Sequence, residues 1–160
     1  MVFTEQEVSD CIDSLADTLS VGPDYTHILL IKNCKIMLLK PITELFNLSI
    51  KLGVYPDLWK ESFITPTLKN CDIHDVFNYR PIVKICILAK IFEKLVHDRL
   101  YRYVAGYIID EQLSFLVGRS KITNLNVLVD DITYNSCEDY NADIIYTDFQ
   151  REFDKVDYNI

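Results

Sequence analysis

Apolar residues recur at helical spacing in four stretches of this chain and alternate in two more, and that mixture confines it to a helix-rich α/β architecture. The first helical stretch opens on a start signal: Thr4 stands where a cap would, Glu7 at the reciprocal position, and Phe3 and Val8 where a hydrophobic staple would close. Val8, Cys11, Ile12, Leu15 and Leu19 then share one face, and Gly22-Pro23-Asp24 predicts the turn that ends the element. A second stretch, Ile36 to Leu52, keeps Ile42, Leu45, Phe46 and Ser49 on one stripe, with Pro41 tolerated near a first turn or as a kink and Gly53 as the stop. Ile87, Leu88, Ile91, Phe92, Leu95, Leu100 and Tyr103 mark a long helix after Pro81, and Ile122, Leu125, Val129 and Ile132 mark another. The alternating stretches are Glu61 to Lys69, a strand in spite of Pro66, and Asp143 to Phe149, a strand with Asp148 at its far end. A polar loop is expected from Asn70 to Tyr79. No repeat, low-complexity tract or linker interrupts the chain, so a single domain is expected.

At 160 residues and 49% hydrophobic, the chain has the means to bury a core of its own. Apolar runs break well short of the roughly 20 residues a membrane helix needs, and Met1 is not followed by a basic start and an apolar core. A soluble chain with no spanning segment and no signal peptide is therefore expected. Cys11, Cys34, Cys71, Cys86 and Cys137 are odd in number and lack Cys-x-x-Cys spacing. They read as free thiols in a reducing, intracellular compartment, nucleus or cytoplasm, with no disulfide and no four-Cys zinc site. The net charge of -8 opposes phosphate binding, but its distribution is uneven. Residues 60–121 carry ten basic and seven acidic side chains between two acidic flanks. Such a block is more often a solvated face than a nucleic-acid surface.

The segment from Ile144 to Asp157 carries the most chemistry. An acid closing an apolar strand is costly to hold near a core unless a cation meets it, and a divalent ion bound to triphosphate would serve. Two-metal phosphoryl transfer sets its ions about 3.5–4 Å apart on carboxylates from neighbouring strand ends, and Asp148 suits one such place. The spacing alone favours instead an Asp148 that caps the helix beginning near Phe153 or starts a turn. Cys71-x-x-His74 is half a zinc spacing without a partner pair; His27 and His97 have no nucleophile beside them; no Gly-rich phosphate loop occurs.

Asp148-Phe149 followed by Phe153-Asp154-Lys155-Val156-Asp157 resembles the first palm motif of reverse transcriptases from non-LTR retrotransposons. Asn78-Tyr79-Arg80-Pro81-Ile82 resembles that family's fingers signature, with Thr65-Pro66 and Lys69 before it and Lys90-Ile91-Phe92-Glu93-Lys94-Leu95 and Arg99-Leu100 after it. Gly22-Pro23-Asp24, Phe46-Asn47-Leu48-Ser49, Gly53-Val54-Tyr55-Pro56-Asp57 and Trp59-Lys60 are similar to its N-terminal stretch, and Gln112, Phe115 and Gly118-Arg119-Ser120 to the segment before the palm strand. The blocks stand in the family's order and run from about Phe3 to Ile160.

The resemblance implies a right-hand polymerase fold: an N-terminal helical segment over 1–60, fingers over 61–121, and the start of a palm over 122–160, helix-rich with a small, incomplete antiparallel sheet. It implies RNA-directed DNA synthesis on an RNA template and DNA primer, with deoxynucleotides and Mg2+. Asp148 would be the catalytic metal ligand, with the Phe149 backbone near the same ion. Phe153 would sit beneath the incoming sugar and exclude a 2′-hydroxyl, or be an ordinary core aromatic, or both. Lys69 and Arg80 would meet the nucleotide's phosphates, a role suited to a compact ammonium and a forked guanidinium. Gln112 would lie near substrate and Arg119 near template, while the other lysines of the middle segment could follow the template backbone.

Some positions depart from the family pattern. Its Gly-Pro-Asp-Gly is Gly22-Pro23-Asp24-Tyr25 here, which predicts strain at a turn position that needs a permissive backbone. Its Gln-x-Gly-Phe-Arg is Gln112-Leu113-Ser114-Phe115-Leu116, and Glu152 replaces the small residue before Phe153. The family's aromatic-x-Asp-Asp hairpin and thumb are not found in these residues, and Asp130-Asp131 reads as a polar helix face. The expectation is a truncated fragment, inactive alone; the alternative is a non-catalytic module that binds nucleic acid or protein.

Overall fold

The computed structural model describes residues 1–69, 72–108, 118, 120–137, 143–145 and 147. The chain divides into two compact units, residues 1–107 and 108–160. The first holds helices α1 (Glu5–Ser14), α2 (Ile28–Asn33), α3 (Lys35–Leu52), α4 (Asp57–Lys60) and α5 (Ile87–Val104), and an antiparallel ribbon of β1 (Ser62–Leu68) and β2 (Tyr79–Ile85). The second holds α6 (Lys121–Cys137). The chain is helix-rich with a small antiparallel sheet, compatible with the α/β expectation, but the sheet pairs β1 with a strand that the residue pattern does not predict. No helix among the described residues is long and apolar enough to cross a membrane.

The start of α1 follows its sequence signal. The Thr4 hydroxyl accepts from the Glu7 N–H at 3.2 Å, and the Glu7 carboxylate accepts from the Thr4 N–H at 2.9 Å. Two amides that the helix leaves unpaired are thereby satisfied. Phe3 and Val8 are both buried, and the Asn47 side-chain amide grips the Phe3 backbone, accepting from its N–H at 2.7 Å and donating to its carbonyl at 2.9 Å. The helix ends earlier than its apolar stripe suggests, leaving Leu19 exposed. Its last carbonyls find other donors: the Ser14 hydroxyl bonds the Cys11 carbonyl, and Lys32 from α2 donates to the Leu15 carbonyl at 2.7 Å and to the Asp17 carboxylate.

The Glu7 carboxyl is held below its ordinary pKa of 4.5, first by the Thr4 backbone amide and then by the Thr4 hydroxyl and Arg99, against partial desolvation. A depressed folded-state pKa stabilises the protein above the unfolded value and is lost as pH falls. Stability is expected to drop below about pH 4.5, and Glu7→Gln to flatten that part of the curve, as read by thermal melts between pH 6 and pH 3.

Helix α2 has no counterpart in the sequence pattern, because six residues show too little periodicity to separate helix from loop. His27 caps it through ring Nδ1, which accepts from the Leu30 N–H at 3.2 Å. In α3, Ile42, Phe46 and Ser49 are buried as the stripe predicts, but Thr43 takes the place expected of Leu45, which is 38% exposed. Pro41 is the seventh residue of α3, inside the helix rather than in its first turn. Gly53 closes the helix in the left-handed conformation, with its N–H on the Ile50 carbonyl and the Val54 N–H on the Ser49 carbonyl.

Helices α1, α3 and α5 pack together with α2 against α1 and α3. At their centre an aromatic cluster sets Phe92 5.2 Å from Trp59 and 5.4 Å from Phe46, with Phe3 and Tyr55 at its margin. Tyr55 donates its hydroxyl to Glu93 on α5 at 2.6 Å.

Two further expectations need correction. The loop expected to run to Tyr79 gives way at that residue to a strand the pattern does not predict, β2 (Tyr79–Ile85), and the predicted helix α5 then starts at Ile87. Strand β2 pairs with β1, and its alternation of Arg80, Ile82 and Lys84 with Pro81, Val83 and Ile85 carries the period of two. In the second unit α6 forms as predicted, though Ile122, Leu125 and Val129 on its stripe are exposed. Asp143–Ile145 and Thr147 lie in no strand, since none of them joins a ladder, and the rest of the strand expected over Asp143 to Phe149 lies outside the described residues.

Candidate nucleic-acid interface

The register of the ribbon decides which side chains share a face. Thr67 is opposite Arg80, Thr65 opposite Ile82 and Phe63 opposite Lys84, while Pro66 faces Pro81. A proline cannot donate across a ladder, so Pro66–Pro81 is a non-hydrogen-bonded pair. Parity then makes Thr67–Arg80 a hydrogen-bonded pair and continues to Lys69, whose N–H donates to the Asn78 carbonyl at 2.6 Å. Lys69 therefore stands diagonal to Arg80 on one face, roughly 7–8 Å away at the backbone. Lys84 lies on the same face, four residues along β2 from Arg80, roughly 13 Å on. The opposite face carries Ile64, Pro66, Leu68, Tyr79, Pro81 and Val83.

Lys69 and Arg80, which the resemblance assigns to phosphates, are thus brought together, and both are exposed. Among the described residues none of Lys69, Arg80, Lys84 and Lys90 forms an ion pair. The nearby acids have other work. Asp75 accepts from the Phe77 N–H at 2.9 Å and Asp72 from the His74 N–H at 3.0 Å, shaping the connection before β2. The tip is further fixed by Asn78, which donates to the Asp72 carbonyl, and Tyr79, whose hydroxyl donates to the Ile73 carbonyl. The cations of this face are accordingly available to an external anion.

At the other end of the ribbon the turn at Gly22 rests on the last residue of β2. A Cβ on Gly22 would lie 2.4 Å from the Ile85 carbonyl oxygen, so only glycine permits the approach. Beside it a cavity of about 390 Å³ is lined by Lys84, Lys90, Thr18, Ser20 and Thr26 together with apolar residues, and no acid lines it. Tyr25, where strain is expected, has φ +54° and is the one non-glycine residue at positive φ among the described residues. Its ring meets Phe63 edge-on at 5.6 Å. Sequence reasoning gives Lys84 only a place among the middle-segment lysines that could follow the template backbone, and it does not single out Tyr25 as a site residue. The period of two from Arg80 to Lys84 is the signal that could have found the first, and the lost glycine the signal for the second.

Asp148, Phe149, Phe153, Gln112 and Arg119 lie outside the described residues. Asp130 and Asp131 sit mid-way along α6, both exposed, as a polar helix face should be. His97 contacts Asp98 and stacks on Tyr101, and Cys11, Cys34 and Cys86 are free thiols. Burial raises the Cys11 and Cys86 thiols above their ordinary range, so neither is an activated nucleophile.

Among the described residues the ribbon thus carries Lys69, Arg80 and Lys84 on one face without an ion-pair partner, and Lys and Arg are side chains of the kind that contact phosphate. No family model matches the chain. It is 26% identical over 159 residues to the probable RNA-directed DNA polymerase from transposon X-element of Drosophila melanogaster, covering 96% of this chain and 17% of that protein. It is 24% identical over 154 residues to the probable RNA-directed DNA polymerase from transposon BS of the same fly, covering 94% of this chain and again 17% of the relative. The chain is therefore similar, along nearly its whole length, to transposon RNA-directed DNA polymerases, over the same residues that carry the resemblance to non-LTR reverse transcriptases. It spans 17% of the length of the curated relatives it matches.

Proposed function

We propose that this chain is a portion of an RNA-directed DNA polymerase of the non-LTR retrotransposon type, in which 61–121 are fingers and 122–160 begin the palm. The observation that carries the reading is the convergence of Lys69 and Arg80 on one face of the ribbon, unpaired, at the positions the family resemblance gives to the fingers cations. Such a face meets the phosphates of a deoxynucleotide and, with Lys84, of an RNA template or DNA primer strand. Gln112 and Arg119 extend this contact in the same reading, and Phe153 gates the sugar.

The Asp148 carboxylate and the Phe149 carbonyl are oxygen donors of the kind Mg2+ takes. The ion would neutralise charge developing on the transferred phosphoryl group. These 160 residues offer Asp148 without the aromatic-x-Asp-Asp hairpin, and the exposed helical pair Asp130-Asp131 does not replace it. A polypeptide of these residues alone is expected to give no primer extension with Mg2+ and deoxynucleotides; measurable incorporation overturns that.

The binding half of the proposal is tested by titrating labelled single-stranded RNA at about 50 and 200 mM salt. Affinity is expected to fall steeply with salt, and Lys69→Ala with Arg80→Ala to reduce the log–log salt slope by about two, one for each phosphate the variant no longer neutralises. Salt-insensitive affinity, or a slope that the double variant leaves unchanged, refutes the assignment. Salt-dependent RNA binding by a polypeptide that never extends a primer is also what the non-catalytic alternative gives, and it is the in-trans addition of the remaining palm that distinguishes the two.

A further inference from the structure

Tyr25 stands in the turn before α2, next to the cavity lined by Lys84 and Lys90. A bulky side chain at φ +54° is unfavourable, and such conformations persist where the surroundings impose them and often mark function. The ring gains little burial in return, since it is 74% exposed. One edge contact, with Phe63, orients it. Phe63 is itself opposite Lys84 in the ribbon, so Tyr25 and Lys84 adjoin the same residue, one through its ring and the other across the ladder. The cavity lined by Lys84, Lys90 and the hydroxyl-bearing Thr18, Ser20 and Thr26 opens beside them. The neighbouring Asp24 carboxylate is turned to the Thr26 N–H at 3.3 Å.

An open aromatic face next to unpaired cations and hydroxyl donors is the combination by which proteins hold single-stranded nucleic acid: bases stack on the ring while the backbone follows the charge. From this we infer that Tyr25 is a nucleobase-stacking platform, and that Lys84 and Lys90 take the phosphates adjoining the stacked base. The occupant is a single strand, because the base must be unpaired and unstacked from its neighbour to lie on the ring. The inference rests on the phosphate-binding reading above and extends it to a subsite that the polymerase resemblance does not supply, since the family has glycine at this position.

The test compares a short RNA of about 12 nucleotides with an abasic strand of equal length and charge, using the full chain. The RNA is expected to bind roughly five- to 150-fold more tightly, the range of one stacked base. Tyr25→Gly should abolish that preference while leaving the salt slope unchanged, and Tyr25→Phe should keep it. Glycine accepts the left-handed backbone, so Tyr25→Gly should melt no lower than the wild type, and a lost preference cannot then be a folding defect. Equal affinity for both strands, with salt dependence intact, overturns the platform and leaves the phosphate reading standing. A preference that survives Tyr25→Gly overturns it also. Absence of salt-dependent binding to either strand sinks both.

Discussion

Phe46→Ala is expected to lower the unfolding free energy by about 3–5 kcal/mol, enough to consume much of the margin of a domain this size. Phe46 is fully buried, its ring 5.7 Å from Trp59 and 5.4 Å from Phe92, at the point where α3 meets α4 and α5. Truncation leaves a cavity among aromatic rings fixed from several elements, so the site cannot collapse to fill it. Trp59 is the single tryptophan of the chain and touches the cluster, which makes its fluorescence a direct reporter of the transition. Leu48→Ala, on the same helix but 51% exposed, should change stability by less than about 0.5 kcal/mol. Equal effects at the two positions would mean that the aromatic cluster does not hold this unit together.

Gly22→Ala is expected to cost about 3 kcal/mol, at the upper end of overpacking effects, because the atoms in its way are backbone. The added methyl would stand 2.4 Å from the Ile85 oxygen, 2.5 Å from the Ile85 carbonyl carbon and 2.6 Å from the Cys86 nitrogen. These atoms join β2 to α5, so relief requires moving a strand end or a helix start. Gly53→Ala is the control. Gly53 is held at φ +64° with open space around it, so an added methyl meets a conformational penalty alone, about 1–2 kcal/mol. Circular dichroism melts of both variants separate the two causes; a Gly22→Ala protein as stable as Gly53→Ala would show that the turn does not rest on β2.

What is legible in the sequence follows the length of each signal. The start of α1 can be read because a capping box and a staple are local and chemically specific, and α3, α5 and α6 because their stripes run for several turns. The six residues of α2 and four of α4 are held by buried Ile28, Ile31 and Trp59, which is tertiary packing that no short window reveals. Strand β2 is hidden by its proline and by the helix behind it. The family blocks also turn out to be structural in part: Asn47 holds Phe3, Gly53 ends α3, and Tyr55, Trp59 and Phe92 share a core. At the candidate site, sequence resemblance names Lys69 and Arg80, but only the ladder register shows that they share a face and that Lys84 joins them. The palm residues Asp148 and Phe153 rest on sequence resemblance alone.

The Pro66–Pro81 pair has a bearing on what the ribbon does in company. In a non-hydrogen-bonded pair the backbone groups turn outward, and proline has no amide hydrogen there to offer. Both rims of the two-stranded ribbon are therefore missing a donor at mid-length, at the same level. A neighbouring molecule trying to add itself as a third strand meets a gap on either side, so this long, exposed hairpin can be displayed to solvent and still resist self-templated stacking.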